Sequence, residues 1–127
     1  MNWRNFSPKG DPALFACSCC EHQGIDFSFV DRLQNLRDIF GKPIRITSGY
    51  RCAVKDRAVG GSGPHQTGRA ADIAIARQDV YDFVRLAMSE GFTGIGIKAH
   101  GSKRFVHLDD LKSGDWANKR PWIWTYS

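Results

Sequence analysis

Residues 60 to 75 constrain this chain more than any other stretch. Gly60-Gly61-Ser62-Gly63-Pro64-His65 is a glycine-rich loop that delivers a histidine, and Arg69-Ala70-Ala71-Asp72-Ile73-Ala74-Ile75 alternates as a strand. Glycine and proline leave such a loop without a local preference for helix or strand, so packing or a bound ion must order it. In the strand, Ala71, Ile73 and Ile75 face one way while Ala70, Asp72 and Ala74 face the other. Asp72 therefore sits between two small side chains, with space for an ion. A third donor, His107, lies in Phe105-Val106-His107-Leu108-Asp109. Taken singly, His65 reads as a surface loop residue, Asp72 as a hydrogen-bonded buried acid and His107 as a core histidine. Together, two imidazoles and a carboxylate suit a catalytic zinc, Zn2+, whose fourth position is left to water.

The remaining pattern predicts a fold of class α+β. Phe29, Leu33, Leu36 and Phe40 recur at helical spacing, one buried stripe of a helix over about 29–40. Ser28 is its expected cap, and Gly41 and Pro43 end it. Val80, Phe83, Val84 and Ala87 form the apolar face of a second helix over about 78–90, closed by Gly91. Strands are expected over 43–48, 69–75 and 122–126, a helical turn over 53–58, and a hairpin pairing 94–97 with 104–109. In that hairpin Ile95, Ile97, Val106 and Leu108 take core positions, and His107 and Asp109 share the opposite face. Gly94 and Gly96 are expected to leave that face open. Residues 1–24 read as irregular, pinned by Phe6, Leu14 and Phe15. The expectation is one domain over 1–127: a small antiparallel β-sheet flanked by helices, with the metal on the open sheet face.

Charge and composition narrow the partners. The net charge is +5, but the basic residues are scattered and only Lys103-Arg104 and Lys119-Arg120 are adjacent. No basic stripe interleaves with stacking aromatics, so no nucleic-acid partner is expected. A basic surface suits anionic cell-wall polymers, or serves solubility alone. No apolar run approaches the roughly 20 residues that span a bilayer, so no membrane insertion is expected. Met1 to Pro8 holds no apolar core of a secretory signal. The chain is thus expected to be made in the cytoplasm and to reach an outside target by another route, such as host lysis. Cys17, Cys19, Cys20 and Cys52 leave three readings: a second zinc site of Cys17 and Cys20 completed by His22 and Cys52, a Cys20–Cys52-type disulfide formed after release, or small buried hydrophobes.

Five blocks occur in order: Ser48-Gly49-Tyr50-Arg51, Val59-Gly60-Gly61, His65-Gln66-Thr67-Gly68-Arg69-Ala70-Ala71-Asp72-Ile73, Gly94-Ile95-Gly96-Ile97 and Phe105-Val106-His107-Leu108-Asp109. In this register they resemble the D-alanyl-D-alanine carboxypeptidase family of zinc peptidases, which is related in fold to lysostaphin-type enzymes and the Hedgehog signalling domain. The resemblance takes in Cys17 to Cys20 and the first helix, and so covers most of the chain. It implies a Hedgehog/D-Ala-D-Ala peptidase-like fold, with zinc on His65, Asp72 and His107. It implies a peptide bond of peptidoglycan as substrate and, for a chain of this size, a phage endolysin acting as a monomer. Arg51 matches the family's arginine, which implies binding of a substrate carboxylate or the oxyanion. The family's better-described members place an acid three residues before the last histidine ligand; that position here is Arg104. Asp109, on the strand face of His107, is the expected general base, or otherwise a partner that orients a ligand histidine, with Asp110 the fallback base. Gly63 stands where the family commonly has serine. His100 reads as a solvated turn residue or as a substrate-binding residue lining the cleft; Trp116, Trp122 and Trp124 read as core or edge packing, or one of them as a stacking surface for sugar. Two other readings stand beside the enzyme: an inactive metal-bearing wall-binding module, and a virion structural protein that opens the wall locally.

Overall fold

Asp26 starts the first helix, α1, Phe27–Phe40. Its carboxylate accepts from the backbone N–H of Ser28 at 2.9 Å and of Phe29 at 3.4 Å. These are among the N–H groups that a helix start leaves without partners. Ser28, the expected cap, instead donates its hydroxyl to Asp26 at 2.6 Å. Gly41 closes the helix at φ 75°, its N–H reaching Arg37 O at 3.0 Å, in a left-handed conformation that glycine adopts without steric cost.

The computed structural model describes residues 24–61, 63–114 and 119–126. The expectations for Phe6, Leu14, Phe15, Cys17, Cys19, Cys20, His22 and Trp116 fall outside them. After α1 come β1 (Arg45–Ser48), α2 (Ala53–Ala58), a 3-10 turn at Pro64–Thr67 and β2 (Ala70–Ala74). A second 3-10 turn at Arg77–Asp79 leads into α3 (Val80–Ser89), so the expected second helix begins with a tighter first turn. Then follow β3 (Gly94–Lys98), β4 (Phe105–Asp109) and β5 (Trp122–Thr125).

The strands lie in the order β1-β2-β4-β3-β5. Each pair is antiparallel except β3 with β5, which run parallel. The sheet is therefore mixed, where a wholly antiparallel one was expected. A parallel neighbour needs a crossover instead of a tight turn, and residues 110–121 supply that length between β4 and β5.

Phe29, Leu33 and Leu36 of α1 and Phe83 of α3 join Ile46, Ile73, Ile95, Val106 and Leu108 of the sheet in one core. Phe29 meets Phe92 edge-on at 5.8 Å, and Phe40 meets Phe83 at 5.2 Å. Burying one such side chain contributes about 1.5–3 kcal/mol, which makes this the face that holds the fold together. Because strand side chains alternate, the residues between these core positions are turned to the opposite face. Those residues include Asp72, His107 and Asp109.

Candidate metal centre

Asp72 on β2 stands opposite His107 on β4, His107 opposite Gly96 on β3, and Gly96 opposite Trp124 on β5. Four strands thus contribute to one row. The next row is Ala70, Asp109, Gly94 and Trp122. Contrary to the expectation from sequence, the two glycines do not leave the face open. A Cβ on Gly96 would run into the Trp124 indole, and one on Gly94 into the Asp109 carboxylate. Each glycine makes room for a neighbour's side chain. The indole crosses Gly96 to lie against His107, ring centroids 5.1 Å apart.

His65 comes from the 3-10 turn, held between Gly63 at φ 117° and Gly68 at φ 77°. Its carbonyl accepts from Arg51 N–H at 3.2 Å, and its Nδ1 lies 2.7 Å from Gly49 O. Two blocks of the sequence pattern are thereby locked together. A carbonyl only accepts, so Nδ1 carries the proton and Nε2 presents a lone pair. His107 is fixed in the mirror sense. Its Nε2 lies 2.8 Å from Asp109 Oδ2, so Nε2 carries the proton and Nδ1 is free.

The two free nitrogens and Asp72 Oδ1 converge. His65 Nε2 is 3.2 Å from Asp72 Oδ1, His107 Nδ1 is 3.1 Å from it, and the nitrogens are 3.2 Å apart. Two lone pairs and a carboxylate oxygen repel one another unless something positive joins them. Ligands about 2.0–2.1 Å from a tetrahedral zinc stand roughly 3.3 Å apart, so the spacing fits such an ion. All three residues are buried, and the cluster could hold a metal ion. Protons compete for the same place. Burial alone would raise the Asp72 carboxyl, but where protons stand in for the ion on the facing nitrogens, hydrogen bonds from His107 and His65 hold it well below the usual range. Burial opposes charge on His107 as well, yet hydrogen bonds to Asp109 and Asp72 raise it.

Asp109 does not stand where a general base is needed. Its side chain is fully buried, its Oδ2 sits on the Nε2 edge of His107, and both its oxygens accept from Arg120 at 2.8 Å. Burial would raise this carboxyl, but His107 and Arg120 hold it at about 2. The metal-facing atom of His107 is Nδ1, on the other edge of the ring. Asp110, the fallback, is taken by Arg69 through hydrogen bonds of 2.8 and 2.6 Å. Arg104 is exposed and lines a separate pocket with Ile75, Arg77 and Val80.

The three donors open into a cleft of about 430 Å³ that Arg51, Lys98, Phe105, Trp124 and Tyr126 also line. Arg51 shares this cleft with the three donors. Its Nε lies 3.0 Å from the buried Asp56 Oδ1, and Gln66 donates to the other Asp56 oxygen at 2.9 Å. His100 is exposed in the turn and is not part of this lining, because the hairpin carries it past the cleft. Trp124 and Tyr126 are the residues sequence reasoning missed. Their shared parity with Trp122 signals a common face, but nothing in the sequence pairs that face with β3. Burial pushes the Tyr126 phenol up, and its ring lies 5.1 Å from Phe105.

Fold and cluster define a class: an α+β domain with a buried His-Asp-His site, able to hold a metal, at an open cleft. The family model described as Peptidase M15 matches residues 9–109, and the chain belongs to that family of D-Ala-D-Ala carboxypeptidase-like zinc peptidases. Membership supports a peptidase. No curated protein matches the chain. Among the described residues no helix is long and apolar enough to cross a membrane.

Proposed function

We propose that this chain is a zinc-dependent peptidase that hydrolyses a peptide bond of bacterial peptidoglycan, in the stem or a cross-link, with the role of a phage endolysin. The observation that carries the reading is the convergence of His65 Nε2, Asp72 Oδ1 and His107 Nδ1 at 3.1–3.2 Å, both imidazole tautomers fixed from behind. His65, Asp72 and His107 would hold the zinc. When bound, the ion acidifies water and polarises the scissile carbonyl.

The chain's own side chains orient and bind. Gly49 O and Asp109 keep the two imidazoles turned toward the ion. Asp109 is an orienting group in this reading and not the proton carrier. Arg51, braced by Asp56, presents a planar fork to a substrate carboxylate or to the oxyanion. Lys98 adds a second cation to the cleft, which suits a peptide rich in carboxylates. Trp124, Tyr126 and Phe105 form an aromatic wall that limits water at one side.

Digestion of purified peptidoglycan, followed by mass spectrometry of the muropeptides, tests this. Hydrolysed peptide bonds are expected, lost with a chelator and restored by zinc. A second reading, a metal-bearing wall-binding module without turnover, draws on one observation: the described cleft lining contains no carboxylate besides Asp72. Co-sedimentation with peptidoglycan and no released fragments, at full metal loading, is its signature.

A further inference from the structure

Arg120 lies just before β5 and beyond the stretch that matches the family model. Its side chain is 1% exposed. A guanidinium so far from water requires partners, and this one has them. Nε and Nη2 donate to the two oxygens of Asp109, both at 2.8 Å, and Nη1 donates to Lys119 O at 2.7 Å. The guanidinium also lies 5.3 Å from the Trp124 ring centre.

These contacts close a circuit around one imidazole. Asp109 holds the Nε2 edge of His107, Trp124 packs on its ring, and Arg120 touches both of them. Asp109 alone would not suffice. Among the described residues, apart from Arg120 and His107, its oxygens have only the Leu111 backbone N–H, at a long 3.4 Å from Oδ1, and one such bond leaves the carboxylate plane free to tilt. Two parallel hydrogen bonds from a rigid fork fix the plane of that carboxylate, and with it the direction of the Nε2–H bond.

We propose that Arg120 is a positioning residue of the metal centre: through Asp109 and Trp124 it fixes the tautomer and ring direction of His107, so that Nδ1 faces His65 and Asp72. The part that concerns metal rests on the peptidase reading; the part that concerns the tautomer does not.

The test compares the full chain with Arg120→Met and with Arg69→Met, which removes an equally bidentate arginine from Asp110, away from the cleft. Three quantities are measured: zinc affinity against a competing chelator, imidazole nitrogen NMR shifts of the metal-free protein at a pH where the rings are neutral, and thermal stability. Arg120→Met is expected to weaken zinc binding 10–100-fold and to give His107 a mixture of tautomers. Arg69→Met is expected to lower stability while leaving zinc affinity and the His107 shifts unchanged. A folded Arg120→Met chain with unaltered His107 shifts and zinc affinity within twofold overturns the proposal. Should Arg120→Met not fold, Arg120→Lys, which keeps the charge and loses the fork, is judged by the same two outcomes. If the unaltered chain binds no zinc, the peptidase reading falls, and the NMR shifts alone decide on Arg120.

Discussion

Asp72 Oδ1 and His107 Nδ1 lie 3.1 Å apart although 35 residues separate them in the chain. The pairing of β2 with β4 brings them together, and the turn at Pro64–Thr67 adds His65 from the side. His65→Ala, Asp72→Ala and His107→Ala should each abolish stoichiometric metal binding, read by elemental analysis, and activity with it. Circular dichroism should show the fold retained. Full metal content in any of the three would remove that residue from the ligand set.

Asp109 and Arg120 form a buried ion pair, so removing one partner leaves the other charged and alone. Asp109→Ala should cost about 3–5 kcal/mol in denaturant unfolding, because the Arg120 guanidinium stays behind without its acceptor. Asp109→Asn keeps one accepting oxygen but not the charge, and should recover only part of that loss. Equal stability of the alanine variant and the parent would mean that water enters this site freely.

Gly96→Ala places a methyl group where the Trp124 indole now lies. The indole must withdraw from His107, at an overpacking cost of about 1–3 kcal/mol. A shift in tryptophan emission should accompany the loss, since Trp124 moves from a half-buried place toward water. Unchanged emission and stability would show that the sheet yields instead.

Much of the site is legible in the sequence because alternation assigns faces. It places Asp72 and His107 opposite the core, and it sets the hairpin register, which the structure shows as Ile95 with Leu108 and Ile97 with Val106. What alternation does not give is a strand's partner, so the parallel union of β5 with β3 is not visible beforehand. Trp124 therefore reads as packing or as a sugar-stacking ring and Tyr126 only as part of the last strand, neither as the wall of this cleft. Arg120 sits in a polar stretch where arginine is ordinarily at the surface. Its burial depends on Asp109, 11 residues earlier. Asp109 shares the His107 face, which suggested a proton carrier; only the Arg120 contacts reveal that its oxygens are already engaged. Asp26 and Ser28 are both cap-forming types two residues apart, and which of them starts α1 is settled by geometry.

Asp26 gives the fold an acid-sensitive joint. Burial is the largest single influence and raises its carboxyl, but the Ser28 hydrogen bonds together with the Arg69 charge and hydrogen bond outweigh it and hold the group below its ordinary 3.8. A carboxyl lowered on folding contributes fully above its unfolded value, and the contribution fades as pH falls through the folded one. Asp26→Ala should therefore cost about 1 kcal/mol near neutrality, as the loss of a cap does, and less in strong acid. Unfolding curves collected down the acid range should converge for the two chains. Curves that stay parallel would assign the cap's effect to shape and not to charge.

The row from Asp72 through His107 and Gly96 to Trp124 crosses three strand junctions, each with its own pairing. A slip of one position at any junction turns the affected side chains to the other side of the sheet. A molecule misaligned between β2 and β4, however compact, would part Asp72 from His107 and be blind to metal. Ion uptake can serve as a proofreading signal, separating correctly assembled molecules from near misses that spectroscopy of the backbone would not tell apart.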